Sequence, residues 1–263
     1  MYPYVTLFGR SVPSYWLCAL AGLLTSSAAA FFRHRKFEEL QEVDVTNSAA
    51  LLLVGAVVGG RIVYLISILP VLAEYRRVLL ADLPLALRIL SNGLVFYGGL
   101  FGALIALKLY SDRYSIEKRS YFDFFVPLIP LFHAFGRIGC FLTGCCHGVE
   151  SARFGIAFSH SLSSENGIPY FPVQLLGSLG NLVLCVLLWR FESAHHKEGK
   201  SLRLYLGLYA VGRFLLEFLR GDAVRGVFAG LSTSQWISLA VLAGLALTSD
   251  RRRPAADPEE QGR

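Results

Sequence analysis

Seven long apolar stretches constrain this chain more than any other feature. A bilayer core about 30 Å thick requires roughly 20 mostly apolar residues in each helix that crosses it. The stretches are about 13 to 32, 48 to 71, 93 to 110, 121 to 146, 171 to 190, 202 to 219 and 231 to 248. Only 17% of the 263 residues are charged, against about 25% in an ordinary soluble domain. We predict an all-α polytopic membrane protein whose seven transmembrane helices form a single domain, residues 1 to 250.

Two connections are long enough to form structures of their own. Residues 76 to 94 mix leucines with Asp82 and Arg88, as in a helix that lies in the membrane interface. Residues 147 to 170 are polar and rich in Ser and Gly, which predicts a small external cap. An ordinary connector is the alternative for each. The tail, 251 to 263, is expected to be disordered and cytoplasmic.

The basic residues indicate the orientation of the helices. Lys and Arg accumulate on the cytoplasmic side of short loops. One alternate set of connections, counted with the ends of the adjoining stretches, carries 15 of the 25 basic residues, the opposite set carries seven, and the other three lie deep within apolar stretches. The N-terminus is therefore expected outside and the C-terminus in the cytoplasm. The net charge of +6 is then a topology signal, and nucleic-acid binding is not expected because no basic module with interleaved aromatic residues occurs.

Three arginines, Arg61, Arg137 and Arg213, lie inside apolar stretches. Each costs about 2.5 to 3.5 kcal/mol on insertion scales, so each is expected to have a partner or a wet cavity. They occupy the second, fourth and sixth stretches, which all run outward, and a rise of about 1.5 Å per residue places them in the middle to outer half of the bilayer. We expect them to meet there and bind a lipid phosphate, to which a guanidinium can donate two parallel hydrogen bonds. A purely structural role is the alternative.

The sixth stretch carries a second charge pattern. Arg213, Glu217 and Arg220 are spaced i, i+4 and i+7 and therefore share one helix face. Glu217 can orient either arginine or act as a base. The alternative is a buried ion pair that only fixes helix packing.

Small residues recur at the spacing that lets helices approach closely. Gly55 with Gly59, and Gly98 with Gly102, are GxxxG pairs. For the first pair we expect packing only. At Tyr97, Gly98 and Gly99 we expect a role at the site, because the glycines expose backbone beside a phenol that can hydrogen-bond a ligand.

Three cysteines precede a histidine in the pattern C-x4-C-C-H, at Cys140, Cys145, Cys146 and His147. A zinc site is one interpretation, but adjacent cysteines rarely ligate one tetrahedral ion together and the spacing matches no common pairing. No metal or other cofactor is therefore expected. A reactive or oxidisable thiol is a second interpretation, and inert packing is the favoured one.

Seven short motifs occur in order along the chain. They are Val12, Pro13, Ser14 and Tyr15 before the first stretch, GGRIVYL at 59–65, YGGLFG at 97–102, GRIGCFLTGCCHG at 136–148, PVQLLG at 172–177, GRFLLEFLRGD at 212–222 and STSQW at 232–236. In order and spacing, this set resembles the bacterial prolipoprotein diacylglyceryl transferase family over nearly the whole chain. The segment around GRIG is the most specific.

The resemblance implies a seven-helix enzyme of the bacterial inner membrane with an external N-terminus. It implies transfer of the diacylglyceryl group of phosphatidylglycerol to the lipobox cysteine of a prolipoprotein signal peptide, with release of glycerol phosphate. Membrane lipids are expected as further partners. It also implies that Arg137 and Arg213 bind the lipid phosphate and that Tyr15, Gly148 and Glu217 occupy matching site positions.

Three residues depart from the family's pattern. Tyr97 stands where the family usually has His before two glycines, Cys140 where it usually has Asn, and Cys145 where it has Glu. A phenol with a pKa near 10 is a poor base, so the histidine's role is not assigned. Glu217, or Tyr97 helped by Arg137, is the alternative base.

The prediction for the site has two parts. The catalytic residues are Tyr97, Arg137, Arg213 and Glu217. The substrate-binding residues are Tyr15, Arg61, Gly98, Gly99, Arg137, Cys140, Gly148 and Arg220, with Cys145 and Cys146 as candidate thiols for a covalent way-station. Two alternative functions stay open: a phospholipid-dependent transferase with another acceptor, and a non-catalytic lipid-binding paralogue.

Overall fold

A computed structural model describes residues 2–35, 37, 40–91, 95–161, 165–194, 200–221 and 226–250. The predicted cytoplasmic tail, 251 to 263, lies outside these residues. The chain divides into two compact units. Unit 1 consists of Met1–Arg35 and Phe122–Arg263, and unit 2 is Lys36–Tyr121.

Over the described residues, the chain forms ten helices and six short strands. The helices are α1 (Ser14–His34), α2 (Glu42–Glu74), α3 (Arg76–Ala81), α4 (Leu83–Ser91), α5 (Phe96–Arg113), α6 (Lys118–Phe125), α7 (Leu128–Thr143), α8 (Val173–Ala194), α9 (Ser201–Glu217) and α10 (Thr233–Asp250). The strands pair as antiparallel hairpins: β1 (Tyr4–Leu7) with β2 (Arg10–Pro13), β3 (Ile156–Ala157) with β4 (Pro169–Tyr170), and β5 (Val227–Phe228) with β6 (Leu231–Ser232).

The predicted helical character is confirmed, since every one of the seven apolar stretches contains a helix. Within the described ranges, four segments are long and apolar enough to cross a membrane: Ser14–His34, Glu42–Leu69, Tyr121–Thr143 and Val173–Glu192. The apolar helix Thr233–Thr248 is shorter. The structure therefore supports a helical membrane protein, and the number of seven spans remains a prediction.

The fourth stretch differs from its predicted bounds. It is interrupted by a turn at Val126 and Pro127 between α6 and α7, and α7 ends at Thr143 rather than at residue 146. Gly144 caps α7 with a left-handed backbone, φ 74°. Its N–H donates a hydrogen bond to the carbonyl of Phe141. This conformation costs a glycine little and ends the helix, so the residues that follow form a loop.

In unit 1, α1 packs on α7, α7 on α8, α8 on α9, and α9 on α10. A buried charged cluster joins one end of this set. Arg33 of α1 is 2% exposed, lies 3.6 Å from a carboxylate oxygen of Glu192, and donates a 3.0 Å hydrogen bond to the carbonyl of Asp123. Its guanidinium also lies 5.0 Å from the ring centroid of Trp189. We call these four residues the inner cluster.

In unit 2, α2 and α5 pack through the two GxxxG pairs. A Cβ placed on Gly55 would lie 2.5 Å from the carbonyl oxygen of Gly102, and one on Gly98 would lie 2.7 Å from Val63. Gly59 and Gly102 likewise face backbone of the opposite helix. The expected packing role of Gly55 and Gly59 is confirmed, and Gly98 has the same role.

The helices α3 and α4 form in the segment predicted as an interfacial arm. Their exposed apolar residues include Leu80, Leu83 and Leu87, which are 85%, 64% and 58% exposed. The location of this arm in the membrane interface remains a prediction.

The glycine contact in unit 2 predicts a matched pair of stability effects. Gly102→Ala should lower the stability of the folded protein by about 1 to 3 kcal/mol, because the new Cβ overlaps the carbonyl oxygen of Gly55. Gly180→Ala should raise it by up to about 1 kcal/mol, because nothing lies within 4 Å of a Cβ there and alanine favours helix. Thermal unfolding in detergent measures both. Equal effects would contradict the close approach of α2 and α5.

Candidate functional site

Arg137 occupies the middle of α7 and faces α8. A Cβ on Gly177 of α8 would lie 3.1 Å from Nε of Arg137. Ser178, next along α8, donates a 3.0 Å hydrogen bond to the carbonyl of Ala134 and fixes the two helices against each other. The guanidinium of Arg137 therefore lies against α8 at Gly177, where an added side chain would crowd it.

Glu217 ends α9 and binds the two arginines of its helix face. Its side chain is about 1% exposed and lies 2.7 Å from Nη2 of Arg213 and 3.8 Å from Nη1 of Arg220. Arg213 also donates a 3.0 Å hydrogen bond to Oγ of Ser234 on α10. The spacing on α9 thus produces the predicted charged face, with the carboxylate at its centre.

Arg137 interacts with the charged residues of α9. Arg213 interacts electrostatically with Arg137 and Arg220 as well as with Glu217. Three guanidinium groups therefore share a region in which Glu217 neutralises one positive charge. Such a cationic group can bind a phosphate oxygen or stabilise an anion that forms during a reaction.

The backbone around Gly148 ties the loop after α7 to the end of α9. Gly148 forms a β-bridge with Arg220, and its N–H donates to the carbonyl of Phe171 at 3.0 Å. A Cβ on Gly148 would lie 2.8 Å from the carbonyl oxygen of Leu219. Glycine is required here because backbone approaches it from both sides.

The three cysteines after and within α7 lie together. The Sγ atoms of Cys140, Cys145 and Cys146 are all within 4.8 Å of one another, and their thiols are free. The pKa of Cys146 is lowered, first by its hydrogen bonds with Cys140 and Cys145. Burial opposes this effect, and the charges of Arg220 and Arg137 lower the pKa further. We call these three residues the thiol cluster.

Tyr15 lies beside the thiol cluster at the start of α1. A Cβ on Gly139 would lie 2.9 Å from Cδ2 of Tyr15, so the glycine makes room for the ring. Tyr15 interacts electrostatically with Arg137 and with all three cysteines, and it is 41% exposed. The structure therefore brings together every predicted site residue that belongs to unit 1.

The remaining predicted residues belong to unit 2. Tyr97 is 6% exposed and its ring stacks on Phe101 with centroids 6.2 Å apart. Arg61 has its guanidinium 6.0 Å from the ring centroid of Tyr64. A Cβ on Gly99 would lie 3.1 Å from the carbonyl oxygen of Ala56. That Arg61 meets the other two arginines remains a prediction.

Polar residues outside the predicted set support the site. Gln174 donates a 2.9 Å hydrogen bond to the carbonyl of Cys145, and Asn181 interacts with His133 of α7. With Gly177 and Ser178, they follow the i, i+3, i+4, i+7 spacing of one helix face. That stripe of small and polar residues in an apolar stretch was the signal that would have found them.

Comparisons with known proteins agree on one family. A family model described as prolipoprotein diacylglyceryl transferase matches residues 3–249. A phosphatidylglycerol–prolipoprotein diacylglyceryl transferase 2 of Clostridium perfringens is 32% identical over 239 residues, which cover 90% of this chain and 90% of the relative. The phosphatidylglycerol–prolipoprotein diacylglyceryl transferases of Clostridium tetani and Bordetella bronchiseptica are 33% and 37% identical over 89% and 76% of this chain, and over 90% and 75% of their own lengths.

Proposed function

The chain belongs to the prolipoprotein diacylglyceryl transferase family, and from this premise we infer that it is a membrane enzyme that transfers a diacylglyceryl group from phosphatidylglycerol to prolipoproteins. The observation that carries the inference is the group of Arg137, Arg213 and Arg220, in which Glu217 pairs with the last two and Arg213 interacts with Arg137. An excess of positive charge within apolar helices is costly, and an anionic lipid headgroup is the ligand that offsets it.

In the proposed reaction, the acceptor is the lipobox cysteine. Its thiolate attacks the saturated carbon of the diacylglyceryl group, a carbon–sulfur bond forms, and the carbon–oxygen bond to phosphate breaks. The bonding electrons leave with glycerol phosphate. Catalysis then requires a deprotonated thiol, alignment of donor and acceptor, and stabilisation of the departing anion.

The proposed roles follow from the geometry of unit 1. Arg137 and Arg213 bind the phosphate and stabilise it as it departs, Glu217 orients Arg213 and Arg220, and Tyr15 contacts the substrate beside them. The Gly148 bridge fixes the loop next to Arg220.

The proposed roles in unit 2 rest on the sequence motifs. Tyr97, Gly98 and Gly99 complete the donor site, with Arg61 as a further cation. Tyr97 lies next to the close backbone contact of α5 with α2, because Gly98 follows it directly in that contact.

The proposed setting is the bacterial inner membrane, with seven spans, an external N-terminus and a cytoplasmic C-terminus. The basic residues of alternate connections support this orientation. The arm of α3 and α4 lies in the interface, and residues 147 to 170, with the β3–β4 hairpin, cap the external side.

The direct test uses purified protein in detergent with phosphatidylglycerol and a synthetic lipobox peptide. Mass spectrometry should detect the peptide with one diacylglyceryl group, and a peptide with serine in place of the cysteine should stay unmodified. Absence of product, with a relative of the family active in parallel, would exclude a lipobox acceptor. Release of glycerol phosphate without that product would instead indicate another acceptor.

A further inference from the structure

The thiol cluster owes its geometry to an unusual backbone at two residues. Gly144 and Cys146 both have positive φ, 74° and 55°. For cysteine this conformation is uncommon and costs energy. It reverses the chain so that two consecutive cysteines both approach Cys140, an arrangement that an extended backbone, with its alternating side chains, does not allow.

The spacing of the thiols matches that of a soft-metal site. Zinc binds thiolate sulfur at about 2.3 Å, which places two sulfurs of a tetrahedral site about 3.8 Å apart. The three Sγ atoms here all lie within 4.8 Å of one another, which is close to that spacing. Three sulfur ligands leave the fourth position of the ion open, as catalytic zinc sites do.

The surroundings support such a site. Oγ1 of Thr143 lies 3.3 Å from Sγ of Cys145, and Gln174 holds the carbonyl of the same residue. Contacts of this kind orient metal ligands. A zinc ion with three thiolates carries a charge of −1, and Arg137 and Arg220 both act electrostatically on Cys146. The positive charge of the arginines therefore stabilises the complex.

We propose that Cys140, Cys145 and Cys146 bind a zinc ion and that the acceptor cysteine of the substrate takes its fourth position. The inference rests on the proposed function. The zinc ion would account for deprotonation of the acceptor thiol, because the two candidate bases are poorly suited to it. Glu217 pairs with Arg213 at 2.7 Å, and Tyr97 is a weak base. A thiol that coordinates zinc is deprotonated outright.

The proposed transfer to the acceptor thiol involves no oxidation or reduction. The acceptor thiol releases its proton to water when it binds. Its sulfur then forms the bond to the diacylglyceryl carbon, the carbon–oxygen bond breaks, and its electron pair leaves with the phosphate. The thioether product is a weaker ligand than a thiolate, so it dissociates and reopens the site.

Cobalt(II) is the probe that reports such a site directly. Reduced, chelator-treated full-length protein in detergent should bind one Co²⁺ with a sulfur-to-cobalt charge-transfer band, and Zn²⁺ should displace it. The band should disappear in Cys140→Ser and in Cys146→Ser. It should persist in Cys18→Ser and Cys185→Ser, which are matched controls because these cysteines lie outside the thiol cluster.

Two further readouts keep the test independent of how the variants fold. In the unaltered protein, Zn²⁺ should protect three of the five cysteines from alkylation, and a lipobox peptide, but not its serine analogue, should shift the cobalt spectrum. Zinc removal should lower transfer at least tenfold, and zinc should restore it.

Full transfer by metal-free protein, or reduced protein without the cobalt band, would overturn the zinc site while leaving the transferase function intact. A cobalt band that responds to the peptide, without transfer from phosphatidylglycerol, would support the site and reject the proposed function.

Discussion

Arg137→Lys is expected to lower the transfer rate by about 100- to 1,000-fold, the effect of removing one donor that stabilises a developing anion. Lysine keeps the charge but presents a single ammonium group, whereas the guanidinium offers two parallel N–H bonds to a phosphate. Arg137 packs closely against Gly177, with its Nε 3.1 Å from the position of a Cβ, so its donors are placed by the contact of α7 with α8. Initial rates with the lipobox peptide measure the loss.

The matched control for this prediction is Arg153→Lys. Arg153 is an exposed arginine of the loop after α7, with its guanidinium 5.2 Å from the ring centroid of Phe154. That substitution should leave the rate within about twofold, as expected of a surface change. If Arg137→Lys retained full activity, a point charge would suffice and the two-point phosphate contact would be wrong.

Glu217→Gln is expected to destabilise the protein by about 3 to 5 kcal/mol, because it leaves buried arginine charge without its counter-ion. The side chains of Arg213 and Glu217 are 15% and 1% exposed and lie 2.7 Å apart. Activity should fall as well, since Arg213 loses the group that orients it. Unfolding in detergent followed by tryptophan fluorescence measures the stability term.

A double substitution separates packing from function at this pair. Arg213→Met with Glu217→Leu removes both charges, and such apolar replacements of buried ion pairs are often neutral for stability. The double variant should recover most of the lost stability and remain inactive, because Arg213 contributes a phosphate contact. Recovery of both stability and activity would show that the pair only fixes helix packing.

The helices were predictable because each apolar stretch is long and nearly uninterrupted. Their ends were not, since they depend on single residues: Gly144 ends α7 through a left-handed backbone, and Pro127 starts it after a turn. The hairpins of two residues per strand escaped prediction as well. Strands so short carry no alternating pattern, and they form only because neighbouring loops bring their backbones together.

For the site, spacing within one helix was informative and contacts between segments were not. The i, i+4 relation of Arg213 and Glu217 follows from helix geometry alone. The convergence of Cys140 with two consecutive cysteines does not, because it requires the positive φ of Cys146, which no side-chain pattern reveals. The same holds for Arg137 and Gly177, whose contact depends on how α7 and α8 are packed.

The inner cluster has a consequence for the permeability barrier of the cell. An enzyme that admits a peptide thiol and releases glycerol phosphate needs a watery opening on one face of the membrane, and such an opening endangers the proton gradient if it continues to the other face. Arg33 and Glu192 are 2% and 1% exposed and join α1 to α8 at the end that we assign to the cytoplasm. In the proposed orientation, we expect this buried pair to close that end of unit 1 to water, so that the site can exchange polar substrates outside without a proton leak across the membrane.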